Sequence, residues 1–487
     1  MFGDNVDRVW QPQPFSKELT LGSLSLDWDL GWGDFVSATG WSQTDTLSQI
    51  DSTIQFGEVA DQLLGLPDPG SSFVRYEFDM EKVTQEFRLS SKSGGPFEWL
   101  VGVFYTRENA LQTQYAVLEQ IDGSPLQTPF DAFSTLTFLA LPSTYKEYAL
   151  FANGSWRIGE RFKIDAGVRQ ARNDQRFSQN VTEGILVPLG STPGESSEDV
   201  FTWSLSPQFK LGEDTMLYAR VATGYQPGGP NVAVPGVPPQ VDSSHLDSYE
   251  LGLKSEFADR RVQVDVAAFR IDWDDVQVAS SFNGIGGLVN GGEASSEGAE
   301  MSTVFRATDQ WTVGLNAAYT KARIKNDYDA TVIPFPDDGF DVVIYGGLAG
   351  DHMPYVPKLS WALTTEYAFT TQGGFNGQVG AALRGVGSQL SDTTQLQQIT
   401  APGDPSTLLA PDEITAPLEL KSYRALDLYA GIGKGPWGLR IYANNVTNEK
   451  AWSSLSPINS EVTGAPGQVG AVPIRPRTLG IEFDYRF

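Results

Sequence analysis

The feature that most constrains this chain is an apolar–polar alternation of period two, repeated along most of its length. WTVGLNAAYT sets Trp311, Val313, Leu315, Ala317 and Tyr319 on one face and Thr312, Gly314, Asn316, Ala318 and Thr320 on the other. WGLRIYANN separates Trp437, Leu439, Ile441 and Ala443 from Gly438, Arg440, Tyr442 and Asn444. SYELGLKSEF separates Tyr249, Leu251 and Leu253 from Glu250, Gly252 and Lys254. Successive side chains of a strand point to opposite sides, so each segment reads as a strand with one apolar and one polar face. The pattern predicts about 17 strands of roughly 9–14 residues. They begin near residues 18, 33, 82, 97, 143, 162, 198, 216, 244, 261, 294, 311, 357, 374, 422, 437 and 475. RVQVDVAAFRIDWDDVQV changes phase between Val266 and Phe269, which predicts a bulge or bend there.

The connections alternate as well. GWG at 31–33, SGGP at 93–96, GER at 159–161, ADR at 258–260 and GKGP at 433–436 are tight turns. Between them lie long polar stretches near 46–80, 111–142, 179–197, 225–243, 325–354, 391–419 and 447–474. In an up-and-down meander this places every long loop at one end and every tight turn at the other. That asymmetry, with strands long enough to cross a tilted hydrocarbon layer, predicts an all-β fold: a transmembrane antiparallel up-and-down β-barrel. Aromatics near strand ends (Trp99, Tyr105, Trp311, Tyr319, Tyr367, Phe369, Trp437) suit two interfacial girdles. A soluble propeller would carry a fixed-period repeat, and the chain shows none.

Composition excludes several function classes. The net charge of −26 argues against nucleic acid as a partner, because phosphate binding needs a basic stripe. There is no cysteine, hence no thiolate metal site or cysteine nucleophile. The two histidines, His245 and His352, lie near Asp247 and Asp351 in a chain with 60 acidic residues. That proximity is expected by chance, so no enzyme activity, catalytic residue, cofactor or metal site is expected. The acidic trio Asp272, Asp274 and Asp275 lacks the glycine and closing glutamate of a calcium loop and reads as a wet strand end.

YARVATGYQPGGPN, SYELGLKSEFADRRVQVDVAAFRIDWDDVQV, LDLYAGIGKGPWGLRIYANNVTNEK and the final RPRTLGIEFDYRF resemble the barrel of TonB-dependent outer-membrane receptors. The resemblance covers most of the chain. It implies a bacterial outer-membrane location and active uptake of a scarce large solute such as ferric siderophore, cobalamin, haem or oligosaccharide. It also implies a plan of 22 strands around an N-terminal plug domain and energy delivered through TonB. On that plan residues 1–17 are the tail of an extracellular loop and residues 18–487 a partial barrel. The plug and the first strands are missing, and TonB is a partner only if a plug segment is supplied elsewhere. The alternative is a passive, plugless, porin-like channel. An odd strand count makes the first and last strands run in the same direction.

The polar face supplies the candidate residues for lining the solute path: Arg220, Glu250, Lys254, Asn316, Arg440, Tyr442 and Asn444. The terminal strand resembles the signal read by the barrel-assembly machinery, carried by Gly480, Phe483, Tyr485 and Phe487. Outer-membrane lipid and that machinery are the remaining expected partners.

Overall fold

A strand in lipid must give every backbone N–H and C=O to a neighbouring strand, because no water is there to take them. In the computed structural model, which describes residues 9–62, 70–127, 131–233, 237–282, 285–328, 331–335, 339–459 and 466–486, one antiparallel sheet of seventeen strands does this. In chain order they are β1 (Phe15–Asp29), β2 (Gly33–Asp51), β3 (Gly70–Ser91), β4 (Phe97–Gln120), β5 (Thr135–Ile158), β6 (Phe162–Gly184), β7 (Gly190–Lys210), β8 (Thr215–Gln226) and β9 (Ser244–Phe257). There follow β10 (Val262–Asp274), β11 (Ala294–Arg306), β12 (Trp311–Ile324), β13 (Leu359–Thr370), β14 (Asn376–Val386), β15 (Tyr423–Lys434), β16 (Trp437–Asn444) and β17 (Thr478–Tyr485). Each pairs with the next in the chain, and among the described residues no ladder joins β1 to β17. The first strand begins at Phe15, ahead of the expected Glu18.

The registers assign every side chain to a face. Leu315, Leu363, Leu383 and Leu426 lie directly across from one another on β12 to β15. One residue on, Asn316, Ala362, Arg384 and Ala425 form the matching row on the other face. The first row belongs to a half-buried to exposed apolar band with Leu217, Leu251, Ile441 and Ile481, the face that meets acyl chains. At the turn end the band carries Phe97, Trp156, Phe209, Phe257, Trp311 and Trp437; at the loop end it carries Trp41, Tyr105, Tyr148, Tyr249 and Tyr319. These two aromatic belts mark the lipid boundaries.

Two local expectations are corrected. β10 has no bulge: it pairs with β9 and with β11 in unbroken register from Val262 to Trp273. The phase change arises because Phe269 faces inward, where its ring lies over Gly298; a Cβ there would meet the ring at 2.8 Å. In addition, the polar stretches at 46–80, 111–142 and 179–197 are largely strand. β2 to β7 run for 19–24 residues against 8–14 for β8 to β17, and the β6–β7 connection is only residues 185–189. The extra residues rise roughly 30 Å beyond the band at about 3.3 Å per residue. Above the lipid both faces meet water or protein, so the alternation that reveals a membrane strand is lost.

The turn-end connections, 30–32, 92–96, 159–161, 211–214, 258–261, 307–310, 371–375 and 435–436, hold two to five residues. In the 258–261 turn Ala258, Asp259 and Arg260 all adopt positive φ, near 54–62°. The loop end is folded. The helix α1 (Thr53–Gln62) sets Phe56 against Ala116, Leu118, Leu126 and Leu136, a dry core on the tall wall. Across the mouth, two long loops share a five-stranded sheet built from 331–335, 340–345, 395–401, 404–408 and 413–415. Tyr355 ties this side to the last loop, its hydroxyl donating to the Leu455 carbonyl at 2.8 Å.

Placing a cation in the apolar band tests the face assignment. Leu363→Arg is expected to lower stability by about 2–4 kcal/mol in lipid vesicles. Thr364→Arg, on the opposite face, costs a fraction of that, as read from urea titrations. The loop layer makes a second prediction. Tyr328 is 5% exposed, and burial, reinforced by Asp392 and Asp351, pushes its phenol up to about 12. The folded state therefore holds the proton to higher pH than the unfolded chain. The loop is unaffected below the ordinary tyrosine pKa and loosens as pH rises from about 10 toward 12. Tyr328→Phe is expected to abolish that alkaline transition in hydrogen exchange.

Candidate functional site: the polar inner wall

The polar face is the concave one. A groove of about 510 Å³ runs across β8 to β14, lined among others by Tyr218, Glu250, Lys254, Glu300, Asn316 and Arg384. It is ordered by a repeated local device, an aromatic ring laid over a glycine of the next strand. Tyr218 covers Gly252, Tyr429 covers Gly380 and Tyr442 covers Gly480; a Cβ at any of these glycines would lie 2.2–2.3 Å from a ring carbon. Glycine is needed there because only a bare Cα admits the ring, and the ring in turn shields the backbone left open by the glycine.

Laid flat in this way, two of the three tyrosines present their hydroxyls to carboxylates. Tyr218 donates to Glu250, and Tyr429 donates to Glu366. Cations close the units from the other side. Lys254 lies 5.9 Å from the centre of the Tyr218 ring and 4.0 Å from Asp265, and Arg440 lies 4.9 Å from the centre of the Tyr429 ring. Arg384 pairs with Asp427 at 3.6 Å. These pairs are partly wet, so each contributes little alone; together they fix the wall's side-chain positions.

The expected residues are distributed as follows. Arg220 on β8 lies directly across from Glu250 on β9. Glu250, Lys254 and Asn316 share the groove. Arg440, Tyr442 and Asn444 all lie on β16, away from that group, across from Glu482, Gly480 and Thr478. Arg440 also lines a second groove of about 750 Å³ at the turn end, with Gln378, Glu482, Asp484 and Arg486. Of the terminal residues, Gly480 sits under Tyr442, and Phe483 and Tyr485 pack on Trp437 with ring centroids at 5.3 and 4.5 Å. Phe487 lies outside the described residues. His245 is on β9 opposite Asp274, while His352 bridges to Arg323 in a loop, so the two are not brought together. Asp272 is engaged by Arg270 at 2.9 Å and Lys325 at 2.8 Å.

A second polar unit was missed by sequence reasoning. On the tall wall Arg169 pairs with Glu147 and lies against the rings of Phe104 and Phe151, at 5.4 and 6.0 Å. The Tyr145 hydroxyl is 2.9 Å from Glu147 Oε2 and 2.8 Å from Asn173 Oδ1, and Asn173 Nδ2 donates to Tyr225 at 3.1 Å. The signal was present: Tyr145 and Glu147 are alternate residues of β5, and Arg169 and Asn173 hold the same phase on β6. Arg169→Met leaves the largely covered Glu147 without its cation, an expected loss of about 1–3 kcal/mol. Arg169→Met with Glu147→Gln recovers most of it, a coupling that a double-mutant cycle in denaturant measures directly.

Comparison with known proteins agrees with this geometry. Residues 2–448 match the family model described as "TonB dependent receptor-like, beta-barrel". The pesticin receptor of Yersinia enterocolitica is 28% identical over 234 residues, 47% of this chain and 34% of that protein. A probable TonB-dependent siderophore receptor, PiuA, of Acinetobacter baumannii is 24% identical over 238 residues, 47% of this chain and 30% of that protein. The alignments thus span about a third of the length of these curated relatives. Among solved structures, the ferric yersiniabactin uptake receptor FyuA of Yersinia pestis superposes with a TM-score of 0.73 at 18% identity, covering 98% of this chain and 63% of that one. The PiuA structure gives 0.68 at 15% identity, covering 97% and 65%. A sheet of seventeen membrane-crossing strands, folded loops at one end and a family match over most of its length identify this chain as a member of the TonB-dependent receptor β-barrel family of the bacterial outer membrane.

Proposed function

We propose that the chain is the barrel of a receptor that actively imports a scarce large solute of the siderophore-iron type, with energy delivered through TonB by a plug segment. On this reading the chain is barrel from Phe15 onward, the residues before it belong to an extracellular loop, and the protein transports without catalysing a reaction. The observation that carries it is the mouth. A porin rim needs only to stay open, whereas this mouth combines a wall of extended strands with a sheet shared by two loops, a vessel for capturing something large. The name of one relative, a probable TonB-dependent siderophore receptor, supports the same class of cargo. Arg220, Glu250, Lys254, Asn316, Arg440, Tyr442 and Asn444 then line or grip the contents of the lumen.

Uptake of labelled ferric siderophores by cells expressing the gene at its own locus tests the proposal. Accumulation is expected to stop when TonB is deleted. Uptake that continues without TonB, with stable single-channel steps from the purified protein in planar bilayers, is the result of a passive channel and overturns it.

A further inference from the structure

We propose that Arg107, Lys146 and Arg172 form a site on the outside of the barrel for the phosphate of an outer-leaflet lipid headgroup. At the loop end the outward apolar series of eight strands stops at a charged residue: Glu81 on β3, Arg107 on β4, Lys146 on β5, Arg172 on β6, Asp199 on β7, Arg270 on β10, Glu297 on β11 and Lys321 on β12. On β10 to β12 the signs alternate and close into pairs, Lys321 with Glu297 at 2.8 Å and Arg270 with Asp272 at 2.9 Å. Among the described residues, only on β4, β5 and β6 do three neighbouring strands present cations side by side.

The local pairing leaves two of these charges uncompensated. Arg107 lies directly across from Lys146, an arrangement in which like charges repel. Lys146 also faces Asp174 on β6, but that carboxylate is turned to Arg172 Nε at 3.4 Å, and Arg172 holds Asp199 at 3.2 Å as well. Arg107 Nε donates to the neutral Asn109 at 3.2 Å. On the β3 side, Glu81 accepts from Trp41 Nε1 at 3.0 Å. One step outward Arg176 adds a further exposed cation opposite Glu195, with no carboxylate within 4.0 Å among the described residues. Among the described residues neither Arg107 nor Lys146 has a carboxylate within that distance.

The depth of the cluster selects the anion. Directly beneath it the outward rings of Tyr105 and Tyr148 pack at 5.0 Å, in the belt where acyl chains give way to headgroups. Long basic side chains there reach to headgroup phosphates while their stems stay on apolar surface. A free anion has no reason to collect on a chain of net charge −26. A phosphate carried by acyl chains embedded against Val103 and Leu150, just below, is held at this height regardless of that field.

The test uses the chain in phosphatidylcholine vesicles carrying a minor fraction of diphosphoryl lipid A, or the same vesicles with its dephosphorylated form, and native mass spectrometry to count retained glycolipid. Retention of the phosphorylated form is expected to fall by about an order of magnitude in Arg107→Gln/Lys146→Gln and to persist in Arg107→Lys/Lys146→Arg. Retention of the dephosphorylated form is expected to be low throughout. Equal retention of both glycolipids, equal retention by the glutamine variant, or displacement of the glycolipid by millimolar inorganic phosphate overturns the proposal. Heat-modifiable mobility on gels establishes that each variant is folded, and Lys146→Gln alone supplies the reading if the double variant is not.

Discussion

The constraint on which the structure depends is that lipid offers nothing to a peptide N–H or C=O. Each membrane-crossing strand is therefore useful only between two others, and the sheet grows by antiparallel neighbours in strict chain order. The side chains inherit the consequences. With the backbone fully engaged, alternate residues have no choice of side, so apolar and polar faces separate along every strand. The two strands that escape the rule are the edges: all of β1 and nearly all of β17 are exposed, and each meets one neighbour.

Much of this was legible in the sequence because the membrane enforces it. Trp311 to Tyr319 and Leu479 to Tyr485 alternate without error, and strand starts at Gly33, Phe97, Phe162, Ser244, Ala294, Trp311 and Trp437 were readable to within a residue. Legibility fails where the enforcing medium ends. The upper halves of β3 to β7 look like polar loops because their faces are no longer divided between lipid and water. It also fails where a glycine on the neighbouring strand absorbs an apolar ring, as Gly298 does for Phe269. In β1 the phase itself changes: Leu19 and Leu21 share the inner face, and Leu24, Leu26 and Trp28 the outer, with the β2 register unbroken.

For the inner wall, the sequence identified which residues face inward but not which meet. Glu250 and Lys254 are read as inward-facing residues of one strand. Their partners Tyr218 and Asp265 come from β8 and β10, one strand away on either side. Such units depend on register, which alternation alone leaves open by steps of two residues. The wall holds two separate polar systems, one around Tyr218 and Tyr429 at membrane depth and one around Arg169 and Glu147 on the tall side. In both, aromatic rings carry the cations, and a carboxylate holds Lys254 in the first and Arg169 in the second.

The five-stranded sheet above β12 to β15 shares no strand ladder with the membrane-crossing sheet among the described residues. Its strands from 331–345 pair with those from 395–415, so its register is set within the loops rather than by the strands that carry them. The two layers are therefore separable under mutation. Insertions, deletions or wholesale exchange within 325–358 and 387–422 can reshape the mouth while the ladder beneath keeps its pairing. The shape of the mouth and the pairing of the membrane-crossing strands are free to diverge independently.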